Sequence, residues 1–264
     1  MKEAARKRSR SFAPASWPGL YIVVRKTIDW KNAEAVERKL IEGFRPTLEL
    51  WNRTFSIPYH LFRARLKHIA QENLSRVQRA VLAPLDRVPD GAIVVPVDDD
   101  DWFSEDLVAR IREAYRDSVR GYYWERAVLE ARPGRVFRKW FGKGSRSFDQ
   151  ADHSRYTCGT NNYAVVNKED WRNLALHHVQ ASRQFDAHGD RVQALPGMLG
   201  IQNRNLASQT VLRGRHGLIG RGRLLRRYRR YRQFYQRVHL PAALEWAQPY
   251  VQMMSELMDE LKPL

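Results

Sequence analysis

Four aspartates stand in a row at Asp98, Asp99, Asp100 and Asp101, directly after the apolar run Ile93-Val94-Val95-Pro96-Val97. Adjacent carboxylates repel one another, so such a run needs solvent or a cation beside it. Hard divalent cations such as Mg2+ and Mn2+ take carboxylate oxygens and leave positions open for phosphate. An isolated acidic run most often marks a solvated turn. This one falls where a buried strand should end and a helix begin, and open α/β sheets bind ligands at the carboxyl ends of their strands. On an extended chain residues two apart point the same way. That alternation lets Asp98 and Asp100 face one site while Asp99 and Asp101 face the other, one pair to hold a metal and nucleotide and the other to hydrogen-bond backbone.

The elements that must position this run are readable in part. "LYIVVRKT" from Leu20 reads as a buried strand, and "AIVVPV" as a second one buried on both faces of a mostly parallel sheet. Between them, Leu66, Ala70, Leu74, Val77, Val81 and Leu85 recur at steps of three and four, the stripe of one long helix. After the aspartates, Ser104 can cap a helix carrying Glu105 and Asp106 in its first turn and continuing to about Val119. "TNNYAVV" is another strand, Asn167 can cap a helix with Trp171, Leu174 and Val179 inward, and "ALPGMLGIQNRN" gives one more turn and strand. Pro241 can open a last helix with a stripe of Leu244, Ala247, Val251, Met254, Met258 and Leu261. Alternating strands and helices predict an α/β fold.

At the aspartates the chain resembles a family. "VVPVDDDDWFSEDL" is similar to the metal-binding signature of glycosyltransferases with the nucleotide-diphospho-sugar fold called GT-A, closest to bacterial family 2 and rhamnosyltransferase-like enzymes. The segment "LPGMLGIQNRNLAS" is similar to a C-terminal stretch of such enzymes; Asn205 and Ser208 match it, while Gln202 stands where a histidine is expected, with His216 as a substitute. The resemblance covers residues 19 to 212. It implies a GT-A-like α/β/α sandwich that moves a sugar from a nucleotide-diphosphate donor to a polysaccharide, lipid-linked or similar acceptor, with Mn2+ or Mg2+ on the diphosphate. By position it implies the nucleotide on Asp98 and the metal on Asp100, this pair being the metal-site candidates with Asp101 as the alternative ligand; Asp99 is a further donor-side candidate.

Other expectations follow from placement. Arg25, Lys26 and Thr27 close the first strand where a nucleotide would lie and are donor-contact candidates. Asn161 and Asn162, before an apolar strand, are candidates to hydrogen-bond a sugar. An inverting transfer needs a base for the acceptor hydroxyl, and Glu169, Asp170 and Asp186 are the candidates. His177 and His178 are adjacent on a helix and point about 100° apart, so they do not form the i, i+4 pair of a zinc site; His178 reads as a core histidine and His188 stands alone. Cys158, the single cysteine, excludes an internal disulfide and has no base beside it in sequence.

The net charge of +17 over 264 residues draws anions of any kind: donor diphosphates, nucleic acid or anionic lipid. From Val211 to Leu244 there is no acidic residue, and ten arginines stand from Arg213 to Arg237. Leu224, Leu225, Tyr228, Tyr231 and Tyr235 recur on one side of a helix there. The tyrosines can stack on single-stranded bases, sit in a membrane interface, or pack on the domain with the arginines in solvent. Residues 1–17 read as a basic tail, 18–212 as a catalytic domain and 213–264 as basic and amphipathic C-terminal helices. The expected location is the cytoplasm, peripheral to the inner membrane face through the arginine helix. Two rival readings belong to other classes: a nucleic-acid-binding protein using residues 213–237, and a metal-dependent phosphoryl-transfer enzyme. The latter lacks an Asp-x-Asp-x-Thr pattern in "DWFSEDL".

Overall fold

The computed structural model describes residues 17–25, 48–76, 81–82, 85–98, 100–131, 156–159, 161–208 and 220–264. Lys26, Thr27, Asp99 and His216, the Arg25 side chain and the basic tail before Trp17 lie outside the described residues.

Among the described residues seven strands form one sheet: β1 (Leu20–Arg25), β2 (Val81–Leu82), β3 (Ile93–Asp98), β4 (Trp102–Phe103), β5 (Gly121–Glu130), β6 (Tyr163–Val166) and β7 (Val192–Arg204). Their spatial order is β2-β1-β3-β6-β5-β7-β4. The fold is α/β, but the expected mostly parallel sheet is instead mixed. β1 pairs parallel with β2 and β3, and β5 with β7. β6 lies antiparallel between β3 and β5, and β4 antiparallel beside β7. An apolar run buried on both faces looks the same in either direction, so "YAVV" could not reveal that its strand is reversed.

Strand β3 shows why its sequence is a continuous apolar run. Ile93, Val95 and Val97 pack on one face with Phe103, Leu107 and Ile111, while Val94 packs on the other with Tyr163, Trp171 and Phe185. The first face is covered by α3 (Leu107–Ala114); the second is covered by a 3-10 helix (Glu169–Leu176) and α4 (His178–Ala187). A third core joins residues 48–54, which are helical (α1), α2 (Tyr59–Arg76), α5 (Arg221–Arg237) and α6 (Gln248–Glu260) to Trp102, Leu129 and Ile201 of the sheet.

The helical stripe expected from Leu66 to Leu85 holds only at its start. Leu66 and Ala70 are buried in α2, whereas Val81 and Leu82 are the edge strand paired with Tyr21 and Ile22 of β1. Steps of four are compatible with helix or strand over so short a stretch, and tertiary pairing decided. The helix after the aspartates ends at Ala114, not near Val119, and β5 follows it. Asn167 does not cap a helix: its side chain donates to the carbonyls of Val88 at 2.8 Å and Pro89 at 3.0 Å, tying two loops together. Val179 and His178 are exposed on α4 rather than buried, because Ala181 and Phe185 supply its inward face. The six-residue stripe from Leu244 to Leu261 is buried throughout, its first two residues in a 3-10 turn (Ala242–Ala247) and the next three in α6.

The path from β3 to β4 fixes the curvature of the sheet. Asp98 to Trp102 can span at most about 14 Å, whereas four strand spacings would separate β3 from β4 by about 19 Å on a flat sheet. The sheet therefore curls, returning its far edge to the end of β3. That curl builds the site.

Candidate functional site

Strand directions gather chemistry at one sheet edge. β1, β3, β5 and β7 all run the same way, so Arg25, Asp98, Glu130 and Arg204 end at that edge, with Arg25 in register with Asp98. β6 and β4 run the opposite way, so the residues that precede them, Asn161 and Asn162 or Asp100 and Asp101, lie at the same edge.

The aspartates form a turn, not an extended strand: the Asp101 backbone N–H donates to the Asp98 carbonyl at 3.3 Å. The alternation expected along the run therefore stops at Asp98. Asp101 is only 2 % exposed, and its Oδ1 accepts the Asn203 backbone N–H at 3.2 Å. It points into the protein and fastens the turn to β7. Asp100 is half-buried, and its Oδ2 accepts from Asn205 Nδ2 at 3.1 Å and Ser208 Oγ at 3.3 Å, with Arg63 Nη1 at 3.9 Å. Asn205 is itself held, since its Oδ1 accepts the Ala207 N–H at 2.9 Å and its own N–H donates to Ser208 Oγ at 3.0 Å.

More distant groups hold this arrangement. Tyr235 of α5 donates its hydroxyl to Asn203 Oδ1 at 2.9 Å, and burial holds its phenol well above the usual tyrosine range. Asn73 of α2 is fully buried behind β4; with its amide oriented to satisfy both ends, it donates to Phe103 O and Tyr250 Oη and accepts the Phe103 N–H. Ser104 Oγ accepts the Asp106 N–H at 3.3 Å, opening α3.

Two hard carboxylates at a strand end, one with an oxygen fixed by an amide and a hydroxyl, suit Mg2+ or Mn2+ in a site that shares its coordination with phosphate. Asp98 and Asp100 are the residues that would hold it. Among the described residues no group of three or more His, Cys, Asp or Glu side chains is placed to hold a metal ion. Asp101, the expected alternative ligand, has its Oδ1 committed to the Asn203 backbone N–H.

The base candidates fare differently. Glu169 and Asp170 follow β6, whose end lies beside the start of β3, with Val166 opposite Ile93. They occupy the opposite edge of the sheet from the aspartates and cannot serve a reaction there. Asp186 accepts the Tyr156 N–H at 3.1 Å at the end of α4. His188 lies 6.3 Å from the Trp171 ring and, among the described residues, joins no metal-binding cluster. Burial raises the Cys158 thiol to about 12, which removes it as a nucleophile at neutral pH.

Asn161 and Asn162 are both buried at the site edge. Asn162 Oδ1 accepts the Gly159 N–H at 2.5 Å and its Nδ2 donates to Thr157 O at 2.9 Å, so it shapes the loop. Asn161 is held by its backbone carbonyl, which accepts from Trp124 Nε1 at 2.9 Å, while its Oδ1 accepts from Arg126 Nη1 at 3.2 Å. Gln202, standing where a histidine was expected, is half-buried with its Oε1 without a hydrogen-bond partner. Arg126, Arg63 and Asn203 went unnoticed in the sequence: each is one polar residue among many, and only the tertiary fold brings it here.

No known family, characterised protein or solved structure matches the chain.

Proposed function

We propose that the chain is a metal-dependent glycosyltransferase taking a nucleotide-diphosphate sugar, with a fold of the GT-A kind. The observation that carries this reading is the Asp98–Asp101 turn at the carboxyl ends of parallel strands. There Asp100 is oriented by Asn205 and Ser208, groups more than a hundred residues away in sequence. A solvated acidic turn has no need of such a clamp. A divalent cation held by Asp98 and Asp100 would offset the negative charge that develops on the departing nucleoside diphosphate. Asp101, tied to Asn203, holds the turn in register with β7, and Arg25 at the end of β1 lies where the nucleotide would run. Polysaccharide and lipid-linked acceptors both suit a basic protein of this kind.

The test is calorimetric titration of nucleotide-diphosphate sugars with and without Mn2+. Binding that requires Mn2+ and disappears in Asp98→Asn and Asp100→Asn supports the reading. Identical binding by wild type and variants refutes it.

The nucleic-acid alternative loses its aromatic component. Tyr228, Tyr231 and Tyr235 of α5 are buried at 3–4 % exposure against the third core, so they are not presented to bases or to lipid. The arginines of that helix remain as a solvent-facing charge. Among the described residues no helix is long and apolar enough to cross a membrane, and the arginines of α5 are what these residues would bring to an inner membrane face.

A further inference from the structure

A second polar cluster lies beside the acidic turn. Arg126 of β5 is half-buried, and burial lowers its pKa, an effect the nearby Asp101 opposes. Its one hydrogen bond goes to a neutral group, the Asn161 amide oxygen, and among the described residues it forms no ion pair. A guanidinium has five N–H donors, and withdrawing one from water without an anion is costly. Neighbouring Arg204, by contrast, is matched by Glu130 at 3.2 Å.

The same spot holds a donor without an acceptor. Asn161 is fully buried, and its Nδ2 has no hydrogen-bond partner. Buried polar groups in native proteins are almost always satisfied, so an orphan beside a cation with no ion pair among the described residues calls for an explanation. The backbone is also shaped to receive the guanidinium. A Cβ on Gly159 would lie 2.0 Å from Arg126 Nη1, so the absence of a side chain there makes the room. Upstream, β5 and β7 slip register between Trp124 and Arg126, across Pro196 and Gly197 (φ +94°), and Arg126 is brought opposite Gly200. Such bulges re-aim side chains at functional sites.

We propose that Arg126 and Asn161 form an oxyanion-binding pocket that takes a phosphoryl or carboxylate group of the substrate without the help of a metal. Arg126, with no ion pair among the described residues, and the orphaned Nδ2 of Asn161 lie at the edge that carries the acidic turn, and an oxyanion supplies the charge the one lacks and the acceptor the other lacks. Only the identification of that oxyanion with part of a sugar donor or acceptor rests on the glycosyltransferase reading.

The probes are inorganic pyrophosphate and glucuronate, each titrated in EDTA against the full chain and read by calorimetry and melting temperature. The wild type should bind at least one of them, pyrophosphate marking a phosphoryl site and glucuronate a carboxylate site. Arg126→Gln should weaken that binding roughly tenfold or more, the worth of charge-assisted hydrogen bonds. Gly159→Ala keeps the charge but displaces the guanidinium, and should weaken binding with the fold intact. Asn161→Asp supplies the anion internally; it should raise the melting temperature and abolish oxyanion binding together, an outcome a purely structural pair would not give. Arg226→Gln/Arg229→Gln/Arg230→Gln, on the solvent face of α5, should leave binding unchanged and so exclude general attraction to a basic protein. Absence of metal-free binding in the wild type, or equal binding by Arg126→Gln, overturns the proposal. Loss of Mn2+-dependent donor binding, with metal-free oxyanion binding retained, would instead count against the glycosyltransferase reading alone.

Discussion

The acidic turn and helix α5 are the two strongest concentrations of charge in the chain, and the protein treats them in opposite ways. At the turn, Asp100 and Asp101 are reached by Asn203, Asn205 and Ser208 from the other end of the domain. On α5 the charge is left outside: Arg223, Arg226, Arg229, Arg230 and Arg237 are exposed, while Leu224 and three tyrosines enter the core. Arg232 is exposed too, and pairs with Asp259 of α6 at 2.6 Å. A carboxylate oriented by distant residues is a built feature with a geometry to lose; a row of solvated arginines is a field, and tolerates change.

Substitutions can break that contrast, and the largest effect belongs to the turn. Asp100→Asn should reduce Mn2+-dependent nucleotide-diphosphate binding to an undetectable level in calorimetry. Asn205→Ala with Ser208→Ala, which leaves the carboxylate in place but unclamped, should cost about 10- to 100-fold in Mn2+ affinity, as is usual for groups that orient metal ligands. Next comes Gly200, whose added Cβ would meet the Asn161 carbonyl oxygen at 2.2 Å; Gly200→Ala should destabilise by about 1–3 kcal/mol in urea unfolding.

Smaller again is the titration of buried groups. The Cys158 thiol and the Tyr235 phenol are both raised in the folded protein by burial, so the stability they confer is complete below their unfolded pKa values. It should fall as pH rises from about 8.5 upward for Cys158 and from about 10 upward for Tyr235. Urea midpoints across alkaline pH would show it, with Cys158→Ala and Tyr235→Phe each flattening part of the slope. The smallest effect belongs to α5: replacing any one of Arg226, Arg229 or Arg230 by Gln should move stability by no more than about 0.5 kcal/mol.

Legibility in the sequence followed how locally each feature is determined. β1, β3 and β6 announce themselves because strands buried on both faces need unbroken apolar runs. The tyrosine stripe of α5 and the six-residue stripe of the last helix are equally plain, since periodicity alone separates their inner and outer faces. β5 escaped because Glu125 and Arg126 interrupt its apolar residues, and β4 because two residues carry no period. The direction of β6, the turn that ends the alternation of the aspartates, and the placement of Glu169 and Asp170 at the wrong edge all depend on strand pairing, which no local pattern encodes. The same holds for Arg126. Nothing near it in sequence distinguishes it from the other cations, and its character comes from Gly159, Asn161 and Asp101.

The pairing of β4 with β7 also has a consequence in time. Trp102 and Phe103 find their partners at Ile201 and Gly200, and Asp100 finds its clamp at Asn205 and Ser208. A growing chain that has exposed only its first half carries all four aspartates but none of the groups that orient Asp100, and closing contacts of such long sequence separation is slow. The clamped arrangement at this edge therefore forms late in folding, when the sheet has curled far enough for its last long strand to meet the turn.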